Sequence, residues 1–217
     1  DMAFLEALLP DSALRRRIAI PDRIRLHGTA GAYKGAFSAA STLSADGGEI
    51  ALQGQLDTRS EAYGIELRCD SFPLNSFLPA DSLGLIDLAL QAGGSGFDPL
   101  RAQTRGNIRL QVDRAEFRGR DFGGVELNAN LEGGQLSGRL SDRDEALRLL
   151  LLVSGTLTER KQEVRLTGNV FDFDLAELGI SPQKIGGSFA LEAGASASDA
   201  GSYTARISLD SIEVRTR

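Results

Sequence analysis

From residue 23 onward, apolar residues fall on alternate positions. In "DRIRLHG" Ile24 and Leu26 alternate with Arg23, Arg25 and His27, the period of a strand with one wet face. The alternation returns in "GEIALQGQLD" (Ile50, Leu52, Leu56), "YGIELRCD" (Ile65, Leu67, Cys69) and "IDLALQA" (Ile86, Leu88, Leu90). It continues in "GNIRLQVDRAEF" (Ile108, Leu110, Val112), "GVELNANLEGG" (Val125, Leu127, Leu131) and "QLSGRL" (Leu136, Leu140). Glycine and small polar clusters such as "SADGGE", "RDFGG" and "LEGGQ" separate the runs. Short runs punctuated in this way predict an antiparallel meander of a dozen or so strands. Only the opening "MAFLEALLP" has helical spacing, ended by Pro10, and it predicts one short N-terminal helix.

The chain also resembles itself. "LALQAGGSGFDP" (88–99) has a near copy in "FALEAGASASDA" (189–200), and "IRLQVDRAEFRGR" (108–120) matches "ARISLDSIEVRTR" (205–217). Before them, 51–78 aligns with 152–178, pairing Gly54 with Gly155, Leu56 with Leu157, Leu67 with Leu166 and Phe72 with Phe171. The offset stays between 97 and 101. This predicts an internal duplication of about 50–120 in 147–217, within one repeat-built unit spanning 1–217 that shares a continuous core.

The duplication bears on "GGSGFD", which with the following Pro99 and Leu100 matches the GGxGxD-x-apolar pattern of the calcium-binding nonapeptide of repeat toxins. Such a roll needs the motif in tandem, and the copy at 193–199 has lost two of its three glycines. The expectation is therefore a turn between two strands.

Composition narrows the chemistry. The chain has one His, one Cys and no Trp among 217 residues, with 25 Gly and 6 Pro. His27 lies on the polar side of its run and reads as an exposed strand residue, not a catalytic base. Cys69 is in phase with Ile65 and Leu67 and reads as a small buried hydrophobe. One His and one Cys leave no zinc site of the usual ligand type. "SDRDE" (Asp142, Asp144, Glu145) reads as a charged solvent loop, and "FDFD" (Asp172, Asp174) as the outer face or end of a strand. "GTAGAYKG" lacks the ending of a phosphate loop. No catalytic residue, metal or cofactor is expected, and the chain reads as a non-enzyme.

Net charge is −6, with 30 acids interspersed among 24 bases, so no basic patch predicts nucleic-acid binding. The longest apolar run, "LLLLV", is far short of the about 20 residues of a membrane-spanning helix. A start at Asp1, with its apolar residues before its positive ones, shows no signal peptide and reads as an excised or processed segment. The run "ALRLLLLVSGTL" is apolar on both sides, Leu147, Leu149, Leu151 and Val153 on one and Leu150 and Leu152 on the other. That pattern suits a central strand covered twice, or one whose face lines an open apolar trough.

Three longer stretches carry a family resemblance: "LPDSALRRRIAIPDRIRLHGTAGAYKGAFSAASTLSADGGEIALQGQL", "IELRCDSFPLNSFL" and "VRLTGNVFDFDLAEL". A glycine-ended strand, a hairpin and a second strand running into an F/L-x-L-x-x-L turn resemble the repeats of AsmA-like proteins, above all the TamB subunits of the translocation and assembly module. The resemblance implies an all-β fold, an antiparallel meander curled into an elongated β-groove, a taco-like half-pipe. It implies a middle segment of an inner-membrane-anchored periplasmic protein, since neither the family's anchor nor its barrel-facing end is in this chain. Its partners would be phospholipid acyl chains, neighbouring repeats of the same chain and, in the full-length protein, an outer-membrane barrel-assembly family member. The positions assigned to the groove face are Leu67, Leu88, Leu90, Leu110, Val112, Leu149, Leu151, Val153, Leu166, Phe189, Leu191, Ile207 and Leu209. The competing expectation is a secreted or surface β-repeat adhesin, or a structural spacer, with a closed core and no lipid.

Overall fold

The computed structural model describes residues 19, 21, 23–79, 82–197 and 202–216. The helix expected at 2–9 lies outside them.

Alternation of apolar and polar positions produces strands throughout. Thirteen antiparallel strands form one open sheet: β1 (Ile24–Tyr33), β2 (Ala36–Ala45), β3 (Gly48–Asp57), β4 (Ala62–Pro73), β5 (Leu83–Ser95), β6 (Arg105–Phe117), β7 (Arg120–Phe122), β8 (Val125–Glu132), β9 (Gln135–Arg143), β10 (Leu147–Leu157), β11 (Gln162–Asp174), β12 (Ile185–Ala197) and β13 (Tyr203–Thr216). Each long strand pairs with its neighbours in sequence, and β7 is a short hairpin partner of β6 beside β8. Among the described residues β1 pairs only with β2 and β13 only with β12, so the sheet does not close.

One strand lacks the expected grammar. β2, "AFSAASTLSA", is rich in Ala and Ser, residues with little strand preference. Its ends are set by two tight turns, Lys34-Gly35 and Asp46-Gly47, in which both residues have positive φ. That pattern is a type I′ turn, whose twist matches flanking antiparallel strands. Turn chemistry on both sides places β2 where its own side chains would not.

Among the described residues the sheet is covered at one margin only. After β4 the chain folds back through a one-turn helix, α1 (Leu74–Phe77), a second class of element that the alternation did not predict. Phe72 is 2 % exposed and stacks on Phe77 with ring centroids 5.1 Å apart. Together with Ala45 and Cys69 it forms a small core that also engages Leu43, Ile50, Leu74 and Ile86. Ser76 Oγ donates to Asp46 Oδ2 at 2.9 Å, tying α1 to the β2–β3 turn.

A second fold-back follows β11. Val170 and Ala146 are buried there, and Phe173 meets Phe189 edge-on at 6.2 Å. The Asp174 N–H donates to the Ala146 carbonyl, while Asp174 Oδ1 accepts the N–H groups of Ala176 and Glu177 at 2.9 and 3.1 Å. Asp174 ends β11, one of its two expected places, and shapes the turn, but it is 6 % exposed and so not on an outer face. Its neighbour Asp172 is likewise largely covered and pairs with Arg148 and Arg215, whereas Phe171 is the exposed residue.

Both strands carry a bulge just before these aromatics, between Cys69 and Phe72 and between Val170 and Phe173. In the register Phe72 therefore corresponds to Phe173, two positions beyond the partner that sequence alignment assigns it. The two bulges are the same one-residue insertion at equivalent places in the two copies.

The β6–β7 hairpin joins the two fold-backs. Arg118 Nη1 donates to the Gly179 carbonyl at 3.1 Å, and Arg120 pairs with Glu177 and Asp144. Asp144 also accepts the N–H groups of Gly123 and Ala146, so it braces this margin, while Glu145 is exposed as expected of a solvent loop. The total accessible surface is 14161 Å², against about 9,700 Å² for a compact monomer of this size. Two small cores along one margin leave most of the sheet in a single layer.

Candidate functional site: an uncovered apolar face

Direct cross-strand partners share a face, so the register shows which side chains line up. Leu52, Leu67, Leu90, Leu110, Leu127, Leu140, Leu151, Gly168, Leu191 and Leu209 stand opposite one another in succession. This row crosses ten strands, about 43 Å at the usual inter-strand spacing. Nine of its ten positions are leucine. At Gly168 a Cβ would sit 2.2 Å from the Leu150 carbonyl oxygen, which accounts for the one gap.

Parallel rows thicken the stripe. Cys69, Leu88, Val112 and Val125 align on one side. On the other, Val153, Leu166, Ala193 and Ile207 align, and Leu149, Val170 and Phe189 form a third short row. All thirteen positions assigned to the groove face thus lie on one face of one sheet. The row also contains Leu52, Leu127 and Leu140, which that assignment omitted although each belongs to an alternating run.

The neighbouring positions show how sharply the faces differ. One residue along, Glu66, Gln91, Arg109, Asn128, Arg139, Leu152, Thr167, Glu192 and Ser208 align on the opposite face. A shift of one residue exchanges the two faces completely. Leu152 is the apolar exception and is 45 % exposed, so β10 is not covered twice. Its cross-strand neighbour Arg139 offers an aliphatic stem beside it.

Exposure separates this face from an ordinary core. Leu52, Ile65, Leu209 and Ile207 are 38 %, 40 %, 49 % and 73 % exposed, although their row-mates are apolar. At the strand ends away from the cores, Ala32, Phe37, Leu56, Gly64 and Ile65 line an open hollow of about 560 Å³. One acid intrudes: Asp142 stands opposite Leu149, and burial, reinforced by the nearby Asp144 charge and opposed by hydrogen bonds from the Asp144 and Arg143 backbone, pushes its carboxyl above the usual aspartate value. Cys69 lies in the Phe72 core, and burial there, aided by Asp70 and Asp87, raises its thiol pKa. His27 is exposed on the polar face, opposite Thr42.

The "GGSGFD" stretch is not the turn it was expected to be. Gly93 and Gly94 lie inside β5, paired with Gly64 and Tyr63, and a Cβ at Gly94 would clash with the Arg105 carbonyl and the Tyr63 hydroxyl. Only Gly96 belongs to the connection. In that loop Asp98 Oδ1 accepts the Leu100 N–H at 3.0 Å and Oδ2 pairs with Arg101, so the carboxylate organises its own loop.

Among the described residues no group of three or more His, Cys, Asp or Glu side chains could hold a metal ion, and no helix is long and apolar enough to cross a membrane. What the face offers is area and continuity, the properties that favour long apolar ligands. No family model, no curated protein and no solved structure matches the chain.

Proposed function

We propose that the chain is a non-enzymatic segment of a TamB-like, AsmA-like envelope protein whose apolar β-face binds phospholipid acyl chains and lets them move along it. In the periplasm, within an inner-membrane-anchored protein, such a face would carry lipid between the inner and outer membranes. It would thereby support outer-membrane biogenesis and, with a barrel-assembly partner, protein assembly there. The observation that carries the reading is the leucine row: apolar across ten strands, polar one residue away and, among the described residues, covered at one margin only.

The physics of the ligand fits that geometry. Each methylene removed from water contributes roughly 0.8 kcal/mol, and the gain depends on contact area, not on the position of any one group. A smooth row with no fixed polar partner holds an acyl chain without pinning it in a single place. Catalytic residues have no part in this task.

The test is native mass spectrometry of the purified protein after incubation with phospholipid vesicles, followed by organic extraction. Phospholipid should be retained in defined stoichiometry, and a variant carrying Leu149→Asp, Leu151→Asp and Val153→Asp should lose it while keeping its strand circular-dichroism signal. A clean apo mass after incubation would overturn the proposal and favour the spacer or adhesin reading.

A further inference from the structure

One charged side chain stands on the apolar face. The register puts that face at alternate positions of every long strand, and between the bulges and the turns of the opposite margin those positions are uncharged everywhere except at Asp142. Asp142 follows Leu140 of the leucine row on the same face of β9. It stands opposite Leu149, in a short row that continues through Val170 to Phe189. A carboxylate among such neighbours loses hydration and gains nothing from them.

The turn does not require that charge. Asp142 Oδ1 accepts the Asp144 N–H at 2.9 Å, a bond that an asparagine in the same place would also make. No base pairs with Asp142 among the described residues. Arg139 and Arg143 of the same strand fall on the polar face, Arg148 pairs with Asp172, and Arg120 pairs with Asp144 and Glu177. Burial raises the Asp142 carboxyl pKa, and only backbone hydrogen bonds oppose the shift. A cation beside it would offset the burial.

We propose that Asp142 receives the ammonium end of an amphiphile whose hydrocarbon chain lies on the leucine row, so that the face takes amine-bearing amphiphiles in preference to anionic ones. The inference rests on the reading of this face as an acyl-chain surface and adds a charge selectivity to it. The chain supplies contact area, and the cation supplies a position along the sheet. A carboxylate or phosphate at the same place would meet the like charges of Asp142 and Asp144. Half-buried, Asp142 is screened by solvent less than an acid on the polar face is.

Three amphiphiles of equal chain length test it: decylammonium, decanol and decanoate, each displacing the fluorescent apolar probe N-phenyl-1-naphthylamine at pH 7.5 and low salt. Decylammonium should displace the probe at a roughly tenfold lower concentration than decanoate, as a charge-assisted contact implies. In Asp142→Asn, which keeps the turn, that ratio should fall to near unity. Glu66→Gln removes the same net charge from the exposed polar face and should leave the ratio as it is. A ratio unchanged in Asp142→Asn, or lost equally in Glu66→Gln, would overturn the proposal, the second by assigning the preference to overall charge. Equal displacement by all three in the wild type would overturn it while the acyl-chain reading stands. Failure of the probe and of every amphiphile to bind would overturn both.

Discussion

Phe72 and Leu110 are large apolar side chains on the same face of the same sheet, and their surroundings differ completely. Phe72 is 2 % exposed beneath α1, whereas Leu110 is only partly buried among its row-mates. The strands do not create this difference, since both rows are equally apolar. It arises from the segments after β4 and β11, which turn back over one margin and, among the described residues, leave the remainder of the face bare. Hydrophobicity makes a face able to be covered, and connections decide where the cover falls.

Replacing Phe72 by Ala should break the covered region most severely, lowering unfolding stability by about 3–5 kcal/mol through lost burial and a cavity. Leu110→Ala should cost only about 1 kcal/mol, the span of strand preference, because no enclosed space is left behind. Urea-midpoint measurements on both variants check the contrast, and equal losses would mean that the leucine row is covered in solution. In the Phe72 variant, Cys69 should also react faster with a thiol reagent, since the core that shields it has been opened.

Glycines sharpen the same contrast at intermediate size. A Cβ on Gly48 would lie 2.1 Å from the Ser71 carbonyl oxygen, while one on Gly54 meets nothing closer than 3.9 Å. Gly48→Ala should therefore destabilise by about 1–3 kcal/mol through overpacking. Gly54→Ala should be neutral or stabilising by up to about 1 kcal/mol, because glycine is entropically poor in a strand. Thermal unfolding of the pair gives opposite signs if the covered margin is as tight as the structure makes it.

The smallest effect concerns Asp142. Its carboxyl pKa is raised on folding, chiefly by burial, so the folded state holds the proton more tightly than the unfolded chain does. The stability associated with this is present at pH below the ordinary aspartate value of about 3.9 and is lost as pH rises through the folded-state value. Asp142→Asn should accordingly be more stable than wild type at neutral pH, with the advantage vanishing in acid. A pH series of urea midpoints that showed the same difference throughout would assign the effect to packing.

Much of the sheet was readable from alternation. The runs around Leu52, Leu67, Leu90, Leu110 and Leu127 all became strands, and the side-chain period placed the thirteen assigned positions on one face. β2 escaped because its Ala and Ser residues carry no strand signal, and only the turns at Lys34-Gly35 and Asp46-Gly47 betray it. The glycines of "GGSGFD" misled in the other direction: two of them lie inside a strand, admitted by the close approach of Tyr63 and the Arg105 backbone. Phe72 corresponds to Phe173 and not to the aligned Phe171, since cross-strand pairing, not residue identity, sets the correspondence.

Period-two patterning is a local property, written by which side of the pleat each residue faces, and the chain therefore carried its all-β class and its apolar face in plain order. Covering that face is non-local: it depends on the path of the chain after Pro73 and Asp174 and on ties such as Ser76 to Asp46 and Arg118 to Gly179. Only the folded register aligned leucines from ten separate strands into one row, because cross-strand neighbours are set by hairpin lengths and bulges that no single strand records.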